Sequence, residues 1–268
     1  MKTPVIWFLR KFAVLILFIG IEGIAGAAPL HVLFIGNSYT GVNNLPNVFK
    51  EIVTSTGAQA PVVKAVTNGG FTLEKHLNAE KTLNLIDEGG WDVVMLQGQS
   101  EESALSETFT NLRRDFLHGA KELSGRIRTK SPKARIVFYQ TWARHADYWV
   151  NPMRGESLGK NPIEMQALIR KWYERAACQV KDALIAPVGD AWELNYKDPK
   201  ALRLHRNDHS HPEFNGTYLA GLVIYGTIFH PSKLSVPFRG TLSEPDAAYL
   251  QRIATKAIQH EGKESLSH

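Results

Sequence analysis

Residues 30–41 read LHVLFIGNSYTG and place a serine directly after a short apolar run. A run such as residues 30–35 is typical of a strand buried on both faces of a parallel sheet. Gly36-Asn37 ends the run, so Ser38 is predicted at the carboxyl end of a first strand, where the chain turns through a loop into a helix. In open parallel sheets, ligand sites form in the crevice at this edge.

Further apolar runs alternate with longer helical patterns along the rest of the chain. The candidate strands are residues 31–35, 62–66, 93–96, 136–139 and 184–188. The candidate helices are residues 45–56, 73–86, 107–128, 163–180, 214–229 and 244–260. This alternation predicts an α/β fold, a three-layer α/β/α sandwich around a five-stranded, mainly parallel sheet. With no repeat and no linker in sight, residues 28–268 are predicted to form a single domain.

The first 27 residues have the order of a secretory signal peptide. Three basic residues precede the apolar residues 12–21, and the small-residue site Ala25-Gly26-Ala27 follows. We expect cleavage after Ala27 and export to the periplasm or the extracellular space, with no stable membrane association afterwards. The alternative is an uncleaved N-terminal anchor, although about 20 apolar residues are needed to span a bilayer and Glu22 interrupts this run.

The charge distribution argues against a nucleic-acid partner, and the cysteine content argues against a disulfide. The formal charge of +5 falls to +3 without residues 1–27, which hold three basic residues and one acidic residue. The basic residues are scattered, so no nucleic-acid surface is expected. Cys178 is the only cysteine, which excludes an intrachain disulfide, and its place in the helical pattern 163–180 predicts a buried apolar residue.

Asp208 and His211 lie three residues apart just before a helical pattern. Serine is a poor nucleophile at neutral pH unless an imidazole takes its proton and a carboxylate holds that imidazole. This spacing lets the Asp208 carboxylate curl back onto one ring nitrogen of His211, which leaves the other nitrogen for Ser38. The sequence thus predicts a catalytic triad of Ser38, His211 and Asp208. In the alternative interpretation Asp208 only caps the next helix, and two neighbouring histidines, His205 and His209, compete for the role of base.

Glycines and amides occupy the ends of the second and third predicted strands. The pair Gly69-Gly70 offers an unobstructed backbone N–H, and the Gln99 side chain can donate from its amide. Together with the Ser38 N–H they form a candidate oxyanion hole, in which one donor lowers the barrier by roughly 3–4 kcal/mol. A simple turn at Gly69-Gly70 and an ordinary loop amide at Gln99 are the alternatives.

A long connection at residues 144–161 follows the fourth predicted strand. Connections of this length are often binding loops, so its aromatic residues are candidates to wall a substrate pocket. The candidate substrate-binding residues are Tyr39, Trp142 and Trp149. Alternatively, the aromatic residues of the loop pack down onto the domain.

The motifs together resemble the SGNH (GDSL-type) hydrolase superfamily, from the first strand to the last helices. The matching positions are Gly36-Asn37-Ser38, Gly70, Gln99, Asp208 and His211. The resemblance implies a flavodoxin-like sheet, with Ser38 as nucleophile, Asp208 and His211 completing the triad, and Ser38, Gly70 and Gln99 forming the oxyanion hole. Two positions depart from the family pattern, because Asn37 replaces an aspartate and Gln99 replaces an asparagine.

These observations predict a secreted serine esterase of short acyl esters, with acetyl esters of carbohydrates as the leading substrate class. A lipase or lysophospholipase of the same fold is one alternative, and a non-catalytic carbohydrate-binding protein is another. A conventional α/β-hydrolase is disfavoured because Thr40 stands where its nucleophile turn needs a second glycine. No cofactor or metal is expected, since no second group of metal ligands stands out among the predicted strand ends to accompany the histidines near residue 208.

Overall fold

The computed structural model describes residues 28–151 and 157–264, so the predicted signal peptide lies outside the described residues. Five strands form one sheet in the order β2-β1-β3-β4-β5, and every pair is parallel. The strands are β1 (His31–Gly36), β2 (Val62–Thr67), β3 (Val93–Leu96), β4 (Arg135–Tyr139) and β5 (Leu184–Ala186). The predicted α/β sandwich is confirmed.

Strand β1 lies inside the sheet and is buried on both faces. Val32 and Phe34 pack into one hydrophobic core, whereas Leu33 and Ile35 pack into the other. Successive side chains of a strand point to opposite faces, so a continuous apolar run supplies both cores at once. This burial fixes the carboxyl end of β1, and with it Ser38, at the edge of a rigid sheet.

Ten helices surround the sheet in the described ranges. They are α1 (Ser38–Gly41), α2 (Leu45–Ser55), α3 (Leu73–His76), α4 (Glu80–Asp87), α5 (Glu102–Leu105), α6 (Thr110–Lys130), α7 (Pro162–Cys178), α8 (Val188–Lys197), α9 (Phe214–Phe229) and α10 (Glu244–Glu264). Short 3-10 turns follow α1, at Val42–Asn44, and β4, at Ala146–Val150. Helices α2, α8, α9 and α10 form the layer on one face, and α3 to α7 form the layer on the other. None of the helices in the described ranges is both long and apolar enough to span a membrane.

Three expectations differ from the structure. The single helix predicted over residues 73–86 is two helices, α3 and α4, separated by a turn at Asn78, a residue type that favours turns. The fifth strand ends at Ala186 because Pro187 has no N–H for the ladder. Pro187 occupies the N-cap position of the unpredicted helix α8. Cys178 is exposed rather than buried, since the last residue of α7 lies on its solvent side.

Candidate active site

The turn after β1 carries the predicted nucleophile. Asn37 is the N-cap of α1, and its Oδ1 accepts a hydrogen bond from the Tyr39 N–H at 3.0 Å. A short polar side chain at this position satisfies a backbone donor that the helix cannot. Asn37 thus does the capping that an aspartate would do, and half-buried Ser38 becomes the first residue of the helix.

The structure brings the three predicted triad residues together. His211 Nε2 lies 2.9 Å from Ser38 Oγ, and His211 Nδ1 lies 2.6 Å from Asp208 Oδ2. These are hydrogen-bond distances on both sides of one imidazole. The arrangement provides a nucleophile, a base and a carboxylate that fixes the tautomer of the base.

Local hydrogen bonds hold Asp208 in its ionised form. Oδ1 of Asp208 accepts from the N–H groups of Ser210 at 3.0 Å and His211 at 2.9 Å. Partial burial would raise the pKa of Asp208, but the hydrogen bonds from the His211 ring and these two N–H groups outweigh it and lower the pKa to about 2. The intervening His209 adopts a positive φ of 60°, which lets the loop fold back on itself.

A stack of three aromatic rings supports the loop that carries His211. Tyr39 stacks on Trp142 at 4.3 Å, and Trp142 stacks on Trp192 at 3.9 Å. Tyr39 Oη lies 2.9 Å from Ser210 Oγ, and Trp142 Nε1 donates to Ser210 O at 3.0 Å. Tyr39 and Trp142 are only 2% and 1% exposed, so their rings support the loop that carries His211. Substrate binding by either residue stays a prediction.

The third substrate-binding candidate, Trp149, folds back onto its own loop. Its Nε1 donates to Gly159 O at 2.8 Å, and its ring packs edge-on against Tyr148. This half-buried position agrees with the alternative in which the aromatic residues of the connection pack onto the domain.

Gln97, at the end of β3, organises the nucleophile turn from the neighbouring strand. Its Oε1 accepts from the Asn37 N–H at 3.0 Å and from Thr40 Oγ1 at 2.8 Å, and its Nε2 donates to Asn37 Oδ1 at 3.1 Å. A Cβ on Gly36 would lie 2.6 Å from both Gln97 Oε1 and Thr40 Oγ1, so only glycine fits there. In the sequence, no local signal distinguishes Gln97 from any other amide that follows a strand.

His76 braces the same turn from the opposite side. Its Nε2 lies 3.0 Å from Gly36 O, and its Nδ1 lies 2.8 Å from Thr82 Oγ1. Burial lowers the pKa of His76 to about 4, so the ring is neutral near pH 7. Since Gly36 O can only accept, Nε2 bears the proton and Nδ1 accepts from Thr82.

Two predicted oxyanion donors present free N–H groups. Within the described residues, no hydrogen bond uses the N–H of Ser38 or that of Gly70. Gly70 has a φ of +69°, a conformation that glycine adopts without strain, and it is exposed in the turn after β2. Both groups are available to a ligand oxygen.

The third predicted donor, Gln99, is already engaged at its carbonyl end. Oε1 of Gln99 accepts from the N–H groups of Glu101 and Glu102, each at 2.8 Å, and so caps the start of α5. Its Nε2 lies 3.2 Å from Ser100 Oγ. These hydrogen bonds fix the side chain through its oxygen and leave the Nε2 group as a hydrogen-bond donor. The oxyanion role of Gln99 stays a prediction.

The buried guanidinium group of Arg144 connects segments around the site. Arg144 donates from Nη1 to Tyr39 Oη at 2.9 Å, from Nη2 to Ser100 Oγ at 3.2 Å, and from Nε to Glu101 Oε1 at 3.1 Å. Since Tyr39 Oη accepts from Arg144, its own hydrogen is free for Ser210. Arg144 therefore links the loop after β3 to Tyr39, which in turn contacts Ser210, a long-range role that no local sequence signal indicates.

Comparison with known proteins adds evidence on the fold. No protein-family model and no curated protein matches the sequence. Among solved structures, a DUF4886 family protein from Bacteroides uniformis is similar at a TM-score of 0.73, with 18% identity over 86% of this chain and 95% of that protein. The lipase/acylhydrolase from Enterococcus faecalis gives a TM-score of 0.53, with 16% identity over 73% of this chain and 93% of that one. A catalytic mutant of an acetylxylan esterase from Geobacillus stearothermophilus gives 0.51, with 14% identity over 76% and 95%. The chain has the SGNH hydrolase fold.

Proposed function

We propose that the protein is a serine esterase that hydrolyses short acyl esters. The observation behind this proposal is the hydrogen-bonded chain from Ser38 through His211 to Asp208, at 2.9 and 2.6 Å. It lies at the carboxyl edge of a parallel sheet, where ligand sites form. The neighbours of the same fold named as a lipase/acylhydrolase and an acetylxylan esterase agree with ester chemistry.

In the first half of the reaction, Ser38 Oγ attacks the ester carbonyl carbon as its proton passes to His211 Nε2. The carbonyl oxygen becomes an oxyanion, and we assign its stabilisation to the N–H groups of Ser38 and Gly70 and to the Gln99 amide. Collapse of this intermediate breaks the bond to the alcohol oxygen, which takes the proton from His211. An acyl group then remains on Ser38.

In the second half, water attacks the acyl carbon and gives a proton to His211 Nε2. Ser38 Oγ leaves, regains that proton, and the carboxylic acid is released. Asp208 stays ionised throughout and stabilises the imidazolium that forms twice per cycle. Partly exposed Ser38 and His211 and the exposed turn at Gly70 make an open site, which suits a small acyl group on a large alcohol. Acetyl esters of carbohydrates, as in the acetylxylan esterase named above, are therefore the substrate class we propose.

Hydrolysis of p-nitrophenyl esters from acetate to palmitate tests this proposal. Wild-type protein should prefer acetate, and Ser38→Ala should lose activity, whereas the exposed Ser232→Ala between α9 and α10 should keep it. Activity surviving in Ser38→Ala would rule out the serine mechanism. A preference for long chains would point to a lipase, and sugar binding without hydrolysis in any variant would point to a carbohydrate-binding protein.

We also propose export, on the strength of the signal-like residues 1–27. N-terminal sequencing of the protein recovered from a bacterial host that expresses the full chain tests this. A mature chain that begins at Ala28 is expected. An intact N-terminus in the membrane fraction would indicate the anchor instead.

A further inference from the structure

Three side chains with metal-binding atoms converge beside the catalytic loop. His145, Asp147 and His209 each offer one ligand atom, and these atoms all lie within 4.8 Å of one another. His145 and Asp147 begin the 3-10 turn after β4, whereas His209 lies between Asp208 and His211. A backbone hydrogen bond from His145 N–H to His209 O, at 3.1 Å, holds the two segments side by side.

The spacing of these atoms suits a shared ion better than direct hydrogen bonds. Nδ1 of His145 and Nδ1 of His209 lie 3.3 and 4.0 Å from Asp147 Oδ2. Charge-assisted hydrogen bonds are shorter, about 2.7–2.9 Å. Two atoms bound to one tetrahedral zinc ion at about 2.0–2.1 Å lie roughly 3.3–3.4 Å apart. Small side-chain rotations would therefore bring all three atoms onto one ion.

The ring nitrogens of this group are only weakly engaged. The hydrogen bond that His145 Nδ1 accepts, from the Asp147 N–H, is long at 3.3 Å and would yield to a coordinate bond. The neighbouring His205 differs, because its Nδ1 lies 2.8 Å from Tyr196 Oη and its Nε2 lies 3.0 Å from Ala143 O. His205 thus has no nitrogen for a metal, although the sequence places it in the same histidine group.

The surroundings leave room for a further ligand. The three residues line a cavity of about 460 Å³ together with Arg203 and Arg206. Both guanidinium groups bond elsewhere: Arg203 donates to His205 O and Asn207, and Arg206 donates to Pro212 O and Asn43. Water can complete the coordination from this cavity.

We propose that His145, Asp147 and His209 bind one divalent transition metal of the zinc class. Two imidazoles and one carboxylate favour such an ion over calcium or magnesium, which prefer oxygen ligands. The site lies outside the triad, so the ion would tie the start of the 3-10 turn to the catalytic loop and fix the backbone that positions Asp208 and His211. His145, Asp147 and His209 are in this view positioning residues.

Calorimetric titration of zinc chloride into the purified, chelator-treated full chain tests the proposal. One ion per chain should bind, and His145→Gln, His209→Gln and Asp147→Asn should each weaken binding at least tenfold. His118→Gln is the control, since this histidine lies on α6 beside Glu74. Exposed Asp147 is the variant least apt to disturb folding, and circular dichroism checks all four.

Thermal unfolding gives a second measure, because an ion that binds only the folded state raises the melting temperature. The rise should appear in wild type and in His118→Gln and should be smaller in the three ligand variants at the same zinc concentration. Ser38→Ala should bind zinc as wild type does, so failure of the esterase proposal would leave this test intact. No binding to wild-type protein, or undiminished binding in the ligand variants, would overturn the metal site.

Discussion

Replacement of Gln97 by leucine should destabilise the protein and displace its nucleophile. Gln97 is fully buried, and its Oε1 is the acceptor for the Asn37 N–H and for Thr40 Oγ1. Leucine fills similar space but accepts no hydrogen bond, so two buried donors lose their acceptor. Each unsatisfied buried group costs about 1–3 kcal/mol, which gives a loss of about 2–6 kcal/mol in the free energy of unfolding.

Urea unfolding followed by circular dichroism measures this loss. With a slope near the upper end of the usual range, about 3 kcal/mol/M, the midpoint should fall by roughly 1–2 M. Gln179→Leu is the matched control, because the side chain of this exposed glutamine makes a single long hydrogen bond in the described residues, to Arg175 O at 3.4 Å. Surface changes of that kind stay within about 0.5 kcal/mol.

The same substitution should lower activity in the protein that remains folded. A shift of about 1 Å in a reacting group can cost roughly a hundredfold in rate, and Asn37 directly precedes Ser38. We therefore expect kcat/KM for p-nitrophenyl acetate to fall by about that factor. A free energy of unfolding of Gln97→Leu within about 0.5 kcal/mol of that of the Gln179→Leu control would show that the hydrogen bonds of Gln97 contribute nothing to stability.

Three further predictions, tested with five substitutions, concern other parts of the protein. His211→Ala should lower kcat by at least about 1000-fold. With a chelator present in every assay, the kcat of His209→Ala should stay within about tenfold of that of wild type. If His209→Ala loses activity and His211→Ala keeps it, His209 is the base. Gly36→Ala should lower the free energy of unfolding by about 1–3 kcal/mol, because its Cβ would lie 2.6 Å from two side-chain atoms. Gly125→Ala in α6 should raise the free energy of unfolding by about 0.5–1 kcal/mol, because its Cβ would meet open space. Equal melting temperatures of the two variants would contradict this difference in packing. His76 has a pKa of about 4 in the folded protein and 6.5 in the unfolded chain. The stability that it contributes is therefore complete above pH 6.5 and is lost as the pH falls toward 4, by at most about 1.4 kcal/mol per pH unit. His76→Gln should flatten the stability slope between pH 7 and 5, and an unchanged slope would refute the neutral buried ring.

The sequence predicts the sheet and the placement of the triad because both depend on local patterns. Apolar runs mark strands buried on two faces, and strand ends in a parallel sheet meet at one edge. Ser38 and His211 therefore meet although they lie 173 positions apart. The Asp208–His211 pair is local as well, since three residues of loop are enough for the side chains to meet.

The supports of the site could not be predicted because their signals are not local. Gln97 looks like any strand-end amide until Asn37 and Thr40 are known to face it. Tyr39 and Trp142 look like pocket aromatics in sequence, and only the stack on Trp192 shows that their rings are buried. These side chains contact residues that are distant in the sequence, and no spacing in the sequence predicts which distant residues each one contacts.

The wide separation of Ser38 and His211 along the chain has a consequence for folding. Strand β5, the last strand of the sheet, ends at Ala186, so a nascent or translocating chain can complete the sheet before His211, the proposed base, has emerged. Contacts between positions so far apart in the sequence form late, because the entropy cost of closing a large loop comes before the contacts can stabilise the fold. Catalytic competence should then be among the last properties acquired, and an exported chain would stay inactive until its C-terminal helices had joined the sheet.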